Sequence, residues 1–237
     1  MAETTIEAIQ EKPILFSGAM IRAILEGRKT QTRRVVKPQP EAKPEDLGGG
    51  FWWRCRYVES MVDIPHPWDG NFWTAEILDC ANPYGKPGTR LWVRETFNVG
   101  WLDGGKVLYR ADGGSAKDCG YPAEPKWKPA IHMPRWASRL TLEIEKVRVE
   151  RVQEISGEDA VAEGITIPRC GCEVCSYTHR MCPADCSAAI MEYARLWDSI
   201  NAKREGGIYA WNANPWIWAI TFKVVPSGRR GSGEKDC

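Results

Sequence analysis

The stretch SGAMIRAILEGRKTQTRRVV, residues 17–36, places a helix, its stop and a strand in direct succession. Ser17 is a residue type favoured ahead of a helix, because its hydroxyl accepts from a first-turn N–H that has no partner inside the helix. Met20, Ile21, Ile24 and Leu25 then recur at helical spacing and share one face. Gly27 ends the helix. From Lys29 to Val36 the pattern changes to the alternation of an extended strand. In that strand Thr32 and Arg34 face one way, Arg33 and Val35 the other.

Working outward, Gly85-Lys86-Pro87-Gly88 is a turn signal, and Arg90 to Thr96 follows as a strand. Val107 to Ala111 is a further short strand, and residues 112–133 read as loop. The strongest β signal runs from Ser138 to Val152. Leu140, Leu142 and Ile144 alternate, the phase slips near Lys146, and Val147, Val149 and Arg151 resume it, so a bulge is expected there. Ser156 with Asp159 three residues on opens a short helix that ends at Gly164. Ile190, Met191, Ala194, Trp197 and Ile200 form a helical stripe read as core, and Trp216 to Val225 makes a closing strand. Residues 38–84 are rich in Pro, Gly and Trp and predict short strands at most. Residues 1–12 and 226–237 read as disordered ends. The order of elements gives an α+β class with a mixed sheet that curls toward a barrel.

The 237 residues suit one enlarged domain, and a net charge of +1 gives no global field to attract nucleic acid. Locally, Arg22, Arg28, Lys29, Arg33, Arg34 and Lys37 face a single acid, Glu26, a run of net +5 that is either a solvated face or a phosphate seat. The twelve tryptophans include Trp52, Trp53, Trp68 and Trp73 in polar stretches, which either fill core under loops or offer a stacking surface. Ala2 to Glu11 is polar and acidic with no apolar h-region, and no stretch approaches the ~20 apolar residues of a bilayer span. A cytoplasmic protein without membrane contact is expected.

The run Ile24-Leu25-Glu26-Gly27-Arg28-Lys29-Thr30-Gln31-Thr32-Arg33-Arg34 resembles the opening motif of ASCH domains, members of the PUA-like superfamily. Gly88-Thr89-Arg90-Leu91-Trp92-Val93-Arg94 is similar to the family's G-D-x-L-x-V strand, with Thr89 where Asp is commoner. Ile155 to Gly164 resembles its short helix with an A-x-x-E-G end, and Phe222 lies in a last strand of the family's type. The resemblance implies one PUA-like domain over residues 13–225, a curled mixed barrel with flanking helices. Insertions fall at about 38–84, 98–134 and 166–187. The tryptophan-rich segments also resemble enlarged ASCH proteins of phages and prophages.

The small family members closest to the Lys-Thr pattern are N4-acetylcytidine amidohydrolases. By motif their catalytic Lys, Thr and Glu fall on Lys29, Thr32 and Glu163. Arg28, Arg33, Arg34 and Arg94 are expected beside them as substrate contacts. The chemistry is coherent. A threonine hydroxyl is a weak nucleophile until a base takes its proton, and a lysine serves as that base when burial or neighbouring cations lower its pKa. A glutamate in reach can hold the lysine and protonate the leaving amine. A water attacking directly, with Thr32 positioning it, is the alternative route. A small nucleoside is the implied substrate, and no cofactor is needed for catalysis. The competing class is a non-catalytic module for RNA or modified DNA, or a ribonuclease, using the same cleft.

Cys172-x2-Cys175 and Cys182-x3-Cys186 have spacing suited to one tetrahedral zinc, with Cys170 or His179 able to replace a ligand. With all positions filled by protein, the metal would be structural. Free thiols or an iron–sulfur cluster are the other readings.

Overall fold

The structure is a computed structural model and describes residues 9–47, 50–55, 60–63, 82–99, 107–113, 126–166 and 188–226. The elements that position the site are β1 (Glu11–Leu15), α1 (Gly18–Leu25), β2 (Gln31–Val35), β6 (Arg90–Arg94), β9 (Thr141–Arg151), α2 (Gly157–Ala162), α3 (Ala188–Asn201) and β10 (Trp216–Val225). The strands between them form two side sheets. One holds β3 (Glu41–Ala42), β4 (Phe51–Cys55) and β5 (Ser60–Asp63); the other pairs β7 (Phe97–Val99) with β8 (Val107–Tyr109). The short strands expected inside 38–84 are thus present. The class is α+β.

The main sheet has the order β1-β6-β9-β10-β2, with β1 parallel to β6 and the other neighbours antiparallel. It is open: among the described residues no ladder joins its edges β1 and β2, so the expected closed barrel is not found. The chain between the two edges is α1, whose Ile21 and Ile24 enter the same apolar cluster as Ile14 and Phe16 of the β1 side. The edges meet through a side chain instead. Arg34 Nη2 donates to the Leu15 carbonyl at 2.6 Å, and its guanidinium lies 5.1 Å from the Phe16 ring.

Alternation along β10 divides the core. Trp218, Ile220 and Phe222 join Phe16, Ile24, Leu142 and Ile144 on one face, while Ile217 and Ala219 join Val152, Ala160, Tyr193 and Trp197 under α2 and α3 on the other. The phase slip near Lys146 is resolved by a bulge. Thr221 pairs with Lys146 and Phe222 with Ile144, leaving Glu145 unopposed, so Ile144 and Val147 both reach the first cluster.

Two elements depart from expectation. Glu11 and Lys12, placed in the disordered end, begin β1, where parallel pairing with Arg90 and Leu91 holds them. Helix α3 buries Ala189, Tyr193, Trp197 and Asn201, while Met191 and Ile200 of the expected stripe are exposed. The helix is rotated because Trp197 Nε1 donates to the Tyr209 carbonyl at 2.8 Å and Tyr193 lies under Arg33. Among the described residues no helix is long and apolar enough to cross a membrane.

Candidate active site

Two glycine-ended helices bring the site together. Helix α1 closes with a Schellman pattern: Arg28 N–H donates to Ala23 O at 2.9 Å and Gly27 N–H to Ile24 O at 3.0 Å, with Gly27 at φ +73°. Ser17 caps its other end, accepting from Met20 N–H. Helix α2 is capped by Ser156, which accepts from Asp159 N–H at 3.1 Å, and ends at Glu163 and Gly164. A Cβ on Gly164, at φ +89°, would stand 2.9 Å from Ala23 Cβ and 3.1 Å from Lys29 Cβ, so only glycine lets the end of α2 close on α1.

The backbone entering β2 is clamped on both sides. Thr30 N–H donates to Ala162 O at 2.8 Å, and Phe222 N–H donates to Thr30 O at 2.9 Å. Lys29 and Glu163 form an isolated antiparallel bridge. Their side chains are therefore adjacent by construction. Lys29 Nζ donates to Glu163 Oε2 at 2.5 Å and to the Glu163 carbonyl at 2.9 Å. The Lys29 side chain is 0% exposed and that of Glu163 4%. Burial pushes the Lys29 ammonium below its ordinary value of 10.5; Glu163 opposes this shift, and Arg34 and Arg33 add to it.

The other carboxylate oxygen of Glu163 belongs to Arg33, whose Nη1 donates to Oε1 at 3.3 Å. Arg33 also binds Glu150 Oε1 through Nε at 3.1 Å and Nη2 at 2.8 Å, and Asp159 Oδ2 at 2.8 Å. Arg148 completes the array, donating to Glu150 Oε2 at 3.1 Å and Asp159 Oδ2 at 2.7 Å. Gln31 Nε2 donates to Asp159 Oδ1 at 2.9 Å. Sheet register explains the array. Arg33 and Arg148 both pair with Ala219, whose methyl leaves room for two guanidinium groups to share acids above it. Burial works against the Arg33 charge, yet Glu163, Glu150 and Asp159 outweigh it and raise its pKa. Asp159 is likewise lowered on balance: burial raises it, but the Gln31 hydrogen bond, Arg33 and Arg148 prevail. Three cations and three acids thus neutralise one another (Lys29, Arg33 and Arg148 against Glu163, Glu150 and Asp159).

Beside this array a cleft encloses about 470 Å³ of empty space, its open mouth included. Thr32, Arg34 and Glu163 line it with Tyr193, Ile200 and Arg204. The Thr32 side chain is buried and stands one residue from Arg33 on the opposite face of β2. Arg34 carries no carboxylate; its Nε is buried with no hydrogen-bond partner among the described residues.

Of the residues expected at the site, Lys29, Glu163 and Arg33 are in contact, and Thr32, Arg33, Arg34 and Glu163 share the cleft. Arg28 lies outside its lining, bound to Glu26 at 2.5 Å and to the Gly164 carbonyl at 3.0 Å. Arg94 is a strut under another loop, donating to the carbonyls of Met133 and Ile131 at 3.1 and 2.6 Å and resting on Trp92. Cys170, Cys172, Cys175, His179, Cys182 and Cys186 lie outside the described residues. Sequence reasoning did not single out Arg148, Glu150 or Gln31, and gave Asp159 a place only in the start of a helix. The available signal was Arg148 and Glu150 two apart in a strand, placing opposite charges on one half-buried face. No family model, curated protein or solved structure matches the chain.

Proposed function

We propose that this protein is an amidohydrolase that removes the acyl group from N4-acylated cytidine nucleosides, with Lys29, Thr32 and Glu163 as its catalytic residues. The observation that carries the proposal is the buried contact of Lys29 with Glu163, a residue that lines a cleft together with Thr32 and Arg34. A lowered pKa leaves a larger fraction of a lysine unprotonated and free to accept a proton, and burial supplies that lowering here.

In the proposed reaction, Lys29 is charged at rest and reacts from its deprotonated form, which takes the proton of the Thr32 hydroxyl as Oγ attacks the acyl carbonyl. The C–N4 bond breaks, the amine leaves with a proton relayed through the Lys29–Glu163 pair, and an acyl ester remains on Thr32. Water then cleaves that ester, releasing the carboxylic acid and restoring the hydroxyl. Arg34 lines the cleft and forms no ion pair among the described residues, and it is assigned here to hold an anionic part of the substrate. Arg33 keeps Glu163 oriented through its second oxygen. The resemblance of residues 24–34 and 155–164 to the family motifs supports the same assignment.

The route through Thr32 is tested by intact-mass analysis after rapid quenching of the enzyme with N4-acetylcytidine. An acetyl adduct that maps to Thr32 supports the ester. Turnover by Thr32→Val at the wild-type rate removes the nucleophile from the mechanism and leaves direct attack by water.

A further inference from the structure

The arginines around the cleft fall into two kinds. Arg33 is enclosed and holds three carboxylates, so it has no charge to offer a ligand. Arg34 and Arg204 line the same cleft and form no ion pair among the described residues. The acid in the lining is Glu163, and both its oxygens are already taken by Lys29 and Arg33. The cleft therefore presents two unneutralised guanidinium groups to whatever enters it.

Both are held in place by uncharged partners. Arg34 is fixed by the Leu15 carbonyl and the Phe16 ring. Arg204 Nη1 donates to Asn201 Oδ1 at 2.9 Å, and the buried Asn201 amide donates in turn to the Trp197 carbonyl at 3.2 Å. The turn after Arg204 is also constrained. Glu205 sits at φ +45°, its carboxylate bound by Lys37 and by the Tyr209 hydroxyl, so Lys37 cancels the nearby acid. The same cleft is lined by apolar and aromatic side chains, Met20, Tyr193, Leu196 and Ile200 among them. Cationic donors beside an apolar wall suit a ligand with an anionic group on a flat, weakly polar body.

We propose that Arg34 and Arg204 form a phosphate seat and that the substrate is a cytidine nucleotide, N4-acylated and carrying a 5′-phosphate, rather than the neutral nucleoside. The acyl-cytidine part of this assignment rests on the hydrolase function proposed above; the phosphate seat stands on the charge arrangement alone. Arginine provides several fixed donors for phosphate oxygens.

The test compares cytidine 5′-phosphate with cytidine by calorimetric titration of the full-length protein, and N4-acetylcytidine 5′-phosphate with N4-acetylcytidine by turnover. Wild type should bind the nucleotide at least about 10-fold more tightly, a charge-assisted contact per guanidinium being of that order. Arg204→Gln should erase most of the difference while thermal unfolding stays near wild type, because Arg204 is exposed. In turnover it should raise KM for the nucleotide far more than for the nucleoside. Equal binding of nucleotide and nucleoside, or a preference unchanged by Arg204→Gln, would overturn the phosphate seat. Tight Arg204-dependent binding without turnover would keep the seat and remove the hydrolase. A 5′-phosphorylated oligonucleotide that binds far more tightly than the mononucleotide would refute the mononucleotide as the ligand.

Discussion

Glu163→Gln isolates the electrostatics of the buried pair with almost no change of volume. In the wild type, the Lys29 ammonium has two acceptors on one residue, Oε2 at 2.5 Å and the backbone carbonyl at 2.9 Å. Glutamine keeps the carbonyl and offers an amide oxygen, but removes the charge. Leaving a buried ion without its partner costs about 3–5 kcal/mol, and the retained acceptors place this variant near the lower end, about 3 kcal/mol at neutral pH. Arg33 loses a contact of 3.3 Å but keeps Glu150 and Asp159, so its contribution to the loss is small. The pH dependence identifies the cause. Lys29 is lowered from 10.5 in the folded protein, so between its folded value and 10.5 the unfolded chain binds more protons and stability rises with pH. Removing Glu163 takes away the interaction that opposes this lowering, so in the variant the rise begins at lower pH. Urea denaturation in steps from pH 7 up to pH 10.5 should show a deficit that shrinks toward alkaline pH. A loss under about 1 kcal/mol at pH 7, or a deficit that does not shrink anywhere up to pH 10.5, would refute a charged Lys29 held by Glu163.

Gly164→Ala combines a left-handed backbone with contacts of 2.9 and 3.1 Å to Ala23 and Lys29, and should cost about 2–4 kcal/mol in chemical denaturation. A variant as stable as wild type would mean that α2 does not close on α1 in this way. Asp159 is lowered from 3.8, so the stability it contributes is present above that value and is lost as pH falls through its folded value. Asp159→Asn should flatten the acid limb of the stability curve, and an acid limb of unchanged slope would contradict the ion network. The cysteine spacing of residues 172–186 predicts one zinc per chain by elemental analysis of protein purified without chelator, lost in Cys182→Ser. Metal-free wild-type protein that folds normally would favour free thiols.

Local signals were legible in the sequence. Ser17, Gly27, Ser156 and Gly164 bound their helices because caps and glycine stops act over one turn. The bulge opposite Thr221 and Phe222 was visible as a slip of phase, since a half-buried strand records its own register in its side chains. Pairings distant in sequence were not legible. Nothing in Glu11 and Lys12 announces a parallel partner almost eighty residues away, and α3 gives no sign that Tyr193 turns inward to meet Arg33. The arginines illustrate the limit most clearly. Arg33 and Arg34 are adjacent and chemically identical, yet one is neutralised by three acids and the other, among the described residues, forms no ion pair. Ala219 sets that difference from the far end of the chain, by leaving room for Arg148, Glu150 and Asp159 above β10.

The most direct test of the central claim is ultraviolet-monitored turnover of N4-acetylcytidine, or its 5′-phosphate, by wild type and by Lys29→Met and Glu163→Gln variants verified as folded. The account predicts release of cytidine, or of cytidine 5′-phosphate, by the wild type and a fall of at least about 100-fold in kcat for both variants, as expected when acid–base catalysis is removed. No turnover of either substrate by the folded wild type would contradict it, and would make salt-dependent binding of RNA or modified DNA in the same cleft the better description of this protein.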